Sequence, residues 1–371
     1  MSFPLSRKVL FGALVLAFAT AMPAHAQQKS VAITAIVEHP ALDSVRDGVK
    51  EALATAGYED GKNLKWQYQS AQGNTGTAAQ IARKFVGDKA DVIVAIATPS
   101  AQAVAAATKD IPLVYSAVTD PVVAKLVPSM APSGTNVTGV SDALELGKQI
   151  ELIKRVTPAA KRVGIVYNPG EANSVVVVEQ LRELLPKQGM SLVEAAAPRS
   201  VDVGSAARSL IGKADVFYTS TDNNVVSAYE ALVKVGMDAK IPLVAADTDS
   251  VARGAVAAYG MDYKALGVQT GQMVVRILNG EKPGDDRFRD QQPAVAAREP
   301  GGGAEAGHHP GRGSRQVGRE GRPVKRAARI PARPPRCGRV GRRPGARPAR
   351  SSRTVIPQCR STPCSGRWRS A

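Results

Sequence analysis

Val92-Ile93-Val94-Ala95-Ile96 contains no polar side chain, and after Ala97 the chain turns at Thr98-Pro99-Ser100 into the helical stretch Ala101–Ala107. A β-branched run of this kind suits a strand buried on both faces, and a hydroxyl beside a proline suits the opening of a helix. Similar runs recur about every 25–30 residues, at Val31–Val37, Leu64–Gln69, Leu113–Ala117, Val163–Tyr167, Ser191–Ala195, Val216–Thr219, Leu243–Ala246 and Ala255–Tyr259. Between them apolar residues fall at helical spacing, as in Val45/Val49/Leu53, Ile81/Phe85 and Leu146/Ile150/Ile153. Strand-helix alternation predicts an α/β fold with parallel, doubly wound sheets.

The rhythm breaks once, at Pro132-Ser133-Gly134 through Ser141, and a second series begins at Lys161-Arg162-Val163. Two Rossmann-like lobes of about four strands each are therefore expected, with a hinge near Val137–Ser141 and a return crossing near Ala255–Asp262. On this division residues 27–140 form lobe 1, completed by 255–285, and residues 141–254 form lobe 2.

The two ends of the sequence have other characters. Arg7-Lys8, the apolar run Val9–Ala21 and Ala24-His25-Ala26 read as a cleavable secretory signal, cut after Ala26 and leading to a periplasm. Residues 286–371 hold 21 basic side chains against 5 acidic ones, whereas residues 1–285 hold 28 and 27. The basic character thus belongs to the tail, and the near-neutral body gives no reason to expect nucleic acid as a partner. Cys337, Cys359 and Cys364 also lie in the tail, so the body has no cysteine nucleophile, Cys-ligated zinc or disulfide framework.

No enzymatic constellation is legible. The body lacks a G-x-S-x-G elbow, a phosphate loop of the Walker kind and G-x-G-x-x-G, and His39 is its one histidine beyond the leader. No catalytic residue, metal ligand or cofactor is assigned. In open α/β sheets ligands sit beyond the carboxyl ends of strands, where helix N-termini offer free amides. The loops in that position supply Glu38 and Asp43, Thr98 and Ser100, Thr119 and Asp120, Asn173 and Ser174, Asp222 and Asn223, and Asp247. The hydroxyls and amides suit an anionic group such as an α-carboxylate. A desolvated ammonium needs a charged acceptor, for which Asp247 or Asp222 is the natural choice. Each of these residues could equally be only a solvated cap. Tyr115, Tyr167, Tyr218 and Tyr259 fall in or at the ends of strands and read as core.

Glu38-His39-Pro40-Ala41-Leu42-Asp43, Ala97-Thr98-Pro99-Ser100, Asp120-Pro121, Asn136-Val137-Thr138-Gly139, Tyr167-Asn168-Pro169 with Glu171-Ala172-Asn173-Ser174, and Gly260-Met261-Asp262-Tyr263 occur in this order. Together they resemble the ABC-transporter substrate-binding proteins of the tryptophan/tyrosine-binding group, over residues 30–285. The resemblance implies a type I periplasmic binding protein, a monomer whose lobes close on a small solute, often an aromatic amino acid. It also implies delivery to an inner-membrane ABC permease served by a separate ATPase. The rival within the same fold is a sensor that presents the solute to a membrane receptor.

The tail, with 20 Arg and 11 Pro in 86 residues, is expected to be disordered. Its composition is that of a GC-rich gene read in a shifted frame. Back-translating Asp286–Pro293 and dropping the first base allows Ile-Ala-Ser-Glu-Thr-Ser-Asn-Gln, and the same frame permits a stop at Val324-Lys325. The hidden peptide resembles the family's last strand and helix. A non-functional, frame-shifted copy lacking them is the third alternative.

Overall fold

The computed structural model describes residues 28–285, 289–290 and 294–297. The expected signal segment, the tail cysteines and nearly all of the tail lie outside the described residues.

The alternating grammar folds into two parallel sheets. In the first, strands Lys29–Ala35 (β1), Leu64–Ser70 (β2), Val92–Ile96 (β3), Leu113–Val118 (β4) and Val137–Ser141 (β5) lie in the order β5-β4-β3-β1-β2. In the second, Arg162–Tyr167 (β6), Ser191–Ala196 (β7), Val216–Thr219 (β8), Leu243–Asp247 (β9) and Ala257–Met261 (β10) lie in the order β10-β9-β8-β6-β7. Each order reverses beside its first strand, between β1 and β3 and between β6 and β8, and such switch points leave a crevice at the strands' carboxyl ends. Buried β3 and β4 are apolar along most of their length because helices cover both faces of the sheet.

Three boundaries differ from the sequence reading. Val137–Ser141 is a fully buried strand of the first sheet, so the first crossing follows it, over residues 142–145. The run Val137-Thr138-Gly139-Val140-Ser141 is too short and mixed to announce a strand, and pairing with β4 supplies what the pattern lacks. Ala257–Met261 belongs to the second sheet, so the return to the first lobe falls at Asp262 and not at residue 255. Gly260 permits this strand: a Cβ there would lie 1.6 Å from the Ala246 carbonyl oxygen.

The third difference concerns the tail. Arg289–Asp290 (β11) pairs parallel with β5, and Ala294–Ala297 (β12) pairs antiparallel with β10, so the chain crosses between the sheets a third time. Backbone pairing uses groups that every residue carries, and composition says little about a short edge strand of this kind.

The return segment is fixed to the first lobe by close helix packing. Helix Pro40–Thr55 (α1) meets the last helix, Tyr263–Leu278 (α10, the tenth described), through Gly48, Gly267 and Gly271. A Cβ on Gly267 would stand 2.2 Å from the Val45 carbonyl oxygen, so the two backbones nearly touch. Ser116 and Thr270 add a buried hydroxyl contact of 2.8 Å between β4 and α10.

Candidate functional site between the lobes

The carboxyl ends of both sheets converge on a small cavity lined by residues of both lobes. Its apolar wall is Ala41, Leu42, Ala97, Ala117 and Val226, and its polar wall includes His39, Asp142, Asn173, Asn223, Asp247 and Tyr263. Ala97 and Ala117, at the ends of β3 and β4, have φ of 72° and 55°, an unfavoured conformation for alanine that is typically tolerated at functional sites. The two lobes meet here through the Thr119 and Thr221 hydroxyls, 3.1 Å apart.

The first lobe's contribution centres on helix Thr98–Ala107 (α3). Its first turn has no side-chain cap, and the Thr98 and Ser100 hydroxyls are buried without a hydrogen-bond partner. Unpaired amides and hydroxyls at a helix start form an anion-accepting end. His39 caps α1, its Nδ1 accepting from the Leu42 amide at 3.5 Å. Burial, reinforced by Arg253, lowers the His39 pKa to about 3, so the imidazole is neutral.

Asp142 and Asp247 are buried, and the nearby Arg253, which pairs with Glu230, acts on Asp247 through its charge. Asp142 accepts from the Thr119 hydroxyl at 3.0 Å and from the Tyr263 phenol at 2.8 Å, and burial raises its pKa. Asp247 accepts from the Ser250 amide at 2.8 Å and its hydroxyl at 2.6 Å, and burial raises its pKa too. Asp249 is pushed up to about 6 by burial and then by Asp247 and Asp262. Among the described residues no cluster of His, Cys, Asp and Glu is arranged to hold a metal ion.

Of the residues picked from sequence, Asn173, Asn223 and Asp247 line the cavity; Thr98 and Ser100 follow the lining residue Ala97 in the first turn of α3, and Thr119 bonds to the lining residues Asp142 and Thr221. Asp222 and Ser174 are internal: Asp222 caps helix Asn223–Ser227 and accepts from Ser174 at 2.6 Å. Asp222 therefore does not stand among the cavity's carboxylates. Asp120 caps the amides of Val122 and Val123. Glu38 is exposed, accepting from Tyr68 at 3.3 Å, and Asp43 pairs with Arg46 at 2.9 Å; the loop between them instead presents His39, Ala41 and Leu42. Sequence reasoning missed Asp142, because the strand before it was missed, and Tyr263, because the crossing was set too early.

Comparison with known proteins gives this cavity its context. The ABC transporter substrate binding protein family matches residues 30–294. The tyrosine-binding protein of Clostridioides difficile is 45% identical over 259 residues, spanning 70% of this chain and 75% of that protein. A Streptococcus pneumoniae ABC domain solved with L-Trp superposes with a TM-score of 0.69 at 33% identity, covering 72% of this chain and 90% of that one. The ligand-free, open structure of a Clostridium difficile substrate-binding protein with adhesive properties gives 0.56 at 44% identity, covering 73% and 92%. The chain superposes better on the tryptophan-bound structure than on the open one, although sequence identity runs the other way. A two-lobed fold with a cavity at the facing strand ends, matched by this family across most of its length, makes the chain a member of the ABC transporter substrate-binding proteins.

Proposed function

We propose that this protein captures a free amino acid, with an aromatic or branched side chain, between its lobes and delivers it to an inner-membrane permease driven by a separate ATPase. The observation that carries the reading is the mixed lining of the cavity: carboxylates Asp142 and Asp247, the uncapped start of α3 at Ala97, and apolar side chains beside them. An α-ammonium and an α-carboxylate fit those two ends, leaving an apolar side chain against Ala41, Leu42 and Val226. No bond is made or broken. The ligand bridges both lobes only when they are closed and so shifts an open-closed equilibrium. The leader supports export with cleavage after Ala26, and the tail composition supports a frame-shifted origin, which sequencing of the coding region tests through the reading frame after Asp285.

A thermal-shift series on the exported chain tests the function, because a ligand that binds only the native state raises the apparent melting temperature. A dose-dependent rise with L-tryptophan, L-tyrosine or a branched amino acid is expected. A cooperative melt unmoved by every amino acid would overturn the ligand class.

A further inference from the structure

Two asparagines stand in the second-lobe wall of the cavity, Asn173 and Asn223, and both donate to one carboxylate. Glu171 precedes helix Ala172–Lys187 (α5) and is buried. Its Oε2 accepts from Asn173 Nδ2 at 3.1 Å, from Asn223 Nδ2 at 2.6 Å and from the Asn223 amide at 3.3 Å. Its Oε1 accepts from Asn168 Nδ2 at 3.3 Å. With three donors on one oxygen, Glu171 is an acceptor to both asparagines. Their amide orientation follows, since a side-chain NH₂ must face the carboxylate and the carbonyl oxygen must face away.

The outcome is visible at Asn173. Its Nδ2 also donates to the Thr221 carbonyl at 3.1 Å, while its Oδ1 is buried with no partner. A buried orphan acceptor in a cavity wall is costly until a donor arrives.

We propose that Glu171 is a positioning residue that sets the hydrogen-bonding polarity of this wall, fixing Asn173 and Asn223 as acceptors so that the cleft selects an amine-bearing ligand over one lacking the amine. The inference rests on the amino-acid reading above and adds the source of its selectivity. Removing the carboxylate frees the Asn223 amide to rotate and offer its NH₂, which repels an ammonium, and leaves the Asn173 NH₂ held only by the Thr221 carbonyl and the Ser174 hydroxyl.

The test is titration calorimetry on the exported chain with L-tryptophan against indole-3-propionate, and L-tyrosine against 3-(4-hydroxyphenyl)propionate. Wild type is expected to prefer the amine-bearing member by about 100-fold or more, and Glu171→Leu to reduce that ratio about tenfold. Glu171→Gln should retain most of the ratio, because its amide oxygen can occupy the Oε2 position. A purely structural role predicts that Glu171→Leu weakens both members of each pair equally, and that result overturns the inference. So does a wild type that binds both members alike. If Glu171→Leu gives no cooperative melt, Asn173→Ala decides: an unchanged ratio shows that no acceptor was being positioned. Failure of the amino-acid reading is distinct, since wild type itself would then bind none of the four compounds.

Discussion

The phenol of Tyr263 donates to Asp142 across 2.8 Å, joining the first residue of one crossing between the lobes to the first residue after another. Through Thr119 the same carboxylate reaches Thr221 on the opposite lobe. Tyr263→Phe leaves Asp142 with a single side-chain donor in a buried site. We expect a loss of about 1–3 kcal/mol in unfolding free energy, measured by denaturant titration with an unchanged slope.

Gly267→Val tests the packing that holds the return segment. The added side chain meets the Val45 backbone, and helices α1 and α10 must separate. A destabilisation of about 2 kcal/mol or more is expected, against near neutrality for the same change at exposed Gly147, where a Cβ meets nothing within 4 Å.

His39 gives a pH dependence of known sign. Its pKa in the folded chain is about 3 against 6.5 unfolded, so between those values the unfolded state takes up a proton that the folded state does not. Stability from this group is complete above pH 6.5 and falls as the pH drops toward 3. His39→Asn keeps a capping side chain and removes the titration. The loss of stability between pH 7 and pH 5 should be smaller in the variant by about 2 kcal/mol, measured by chemical denaturation at the two pH values.

Asp247→Asn retains an acceptor for the Ser250 contacts and removes the charge. Affinity for an amino acid is expected to fall about tenfold or more while the unliganded melting temperature holds within a few degrees. An unchanged dissociation constant would remove Asp247 from the ammonium end.

Truncation separates the two parts of the C-terminal region. A chain ending after Asp285 loses both short strands that pair with β5 and β10, and it should melt below the full-length protein. A chain ending after Ala304 keeps those strands and should melt with the full-length protein, measured by calorimetry of all three.

Most of the fold was legible because buried parallel strands are written in continuous apolar letters: Val92–Ile96 and Val216–Thr219 coincide with the observed strands residue for residue. The crossings were less legible. Val137–Ser141 owes its strand conformation to pairing with β4, which no local pattern encodes, whereas the run Ala255–Tyr259 announces a strand that the structure places two residues later, at Ala257–Met261 in the second sheet. The site was half legible for a related reason. Thr98, Asn173, Asn223 and Asp247 advertise themselves at strand exits, but whether a carboxylate faces a cavity or its own helix depends on rotamers. Asp222 and Asp247 look alike in sequence, and only the latter lines the cavity.

The tight seam between α1 and α10 has a practical corollary. With the return segment welded to one lobe and only residues 142–145 spanning the first crossing, rotation between the lobes has few bonds in which to be absorbed. On the proposed function, solute capture then becomes a displacement of two nearly rigid bodies. Dyes coupled near exposed Lys89 on one and Lys213 on the other would turn the protein into an optical gauge of its own solute, with no change to the cavity that does the recognising.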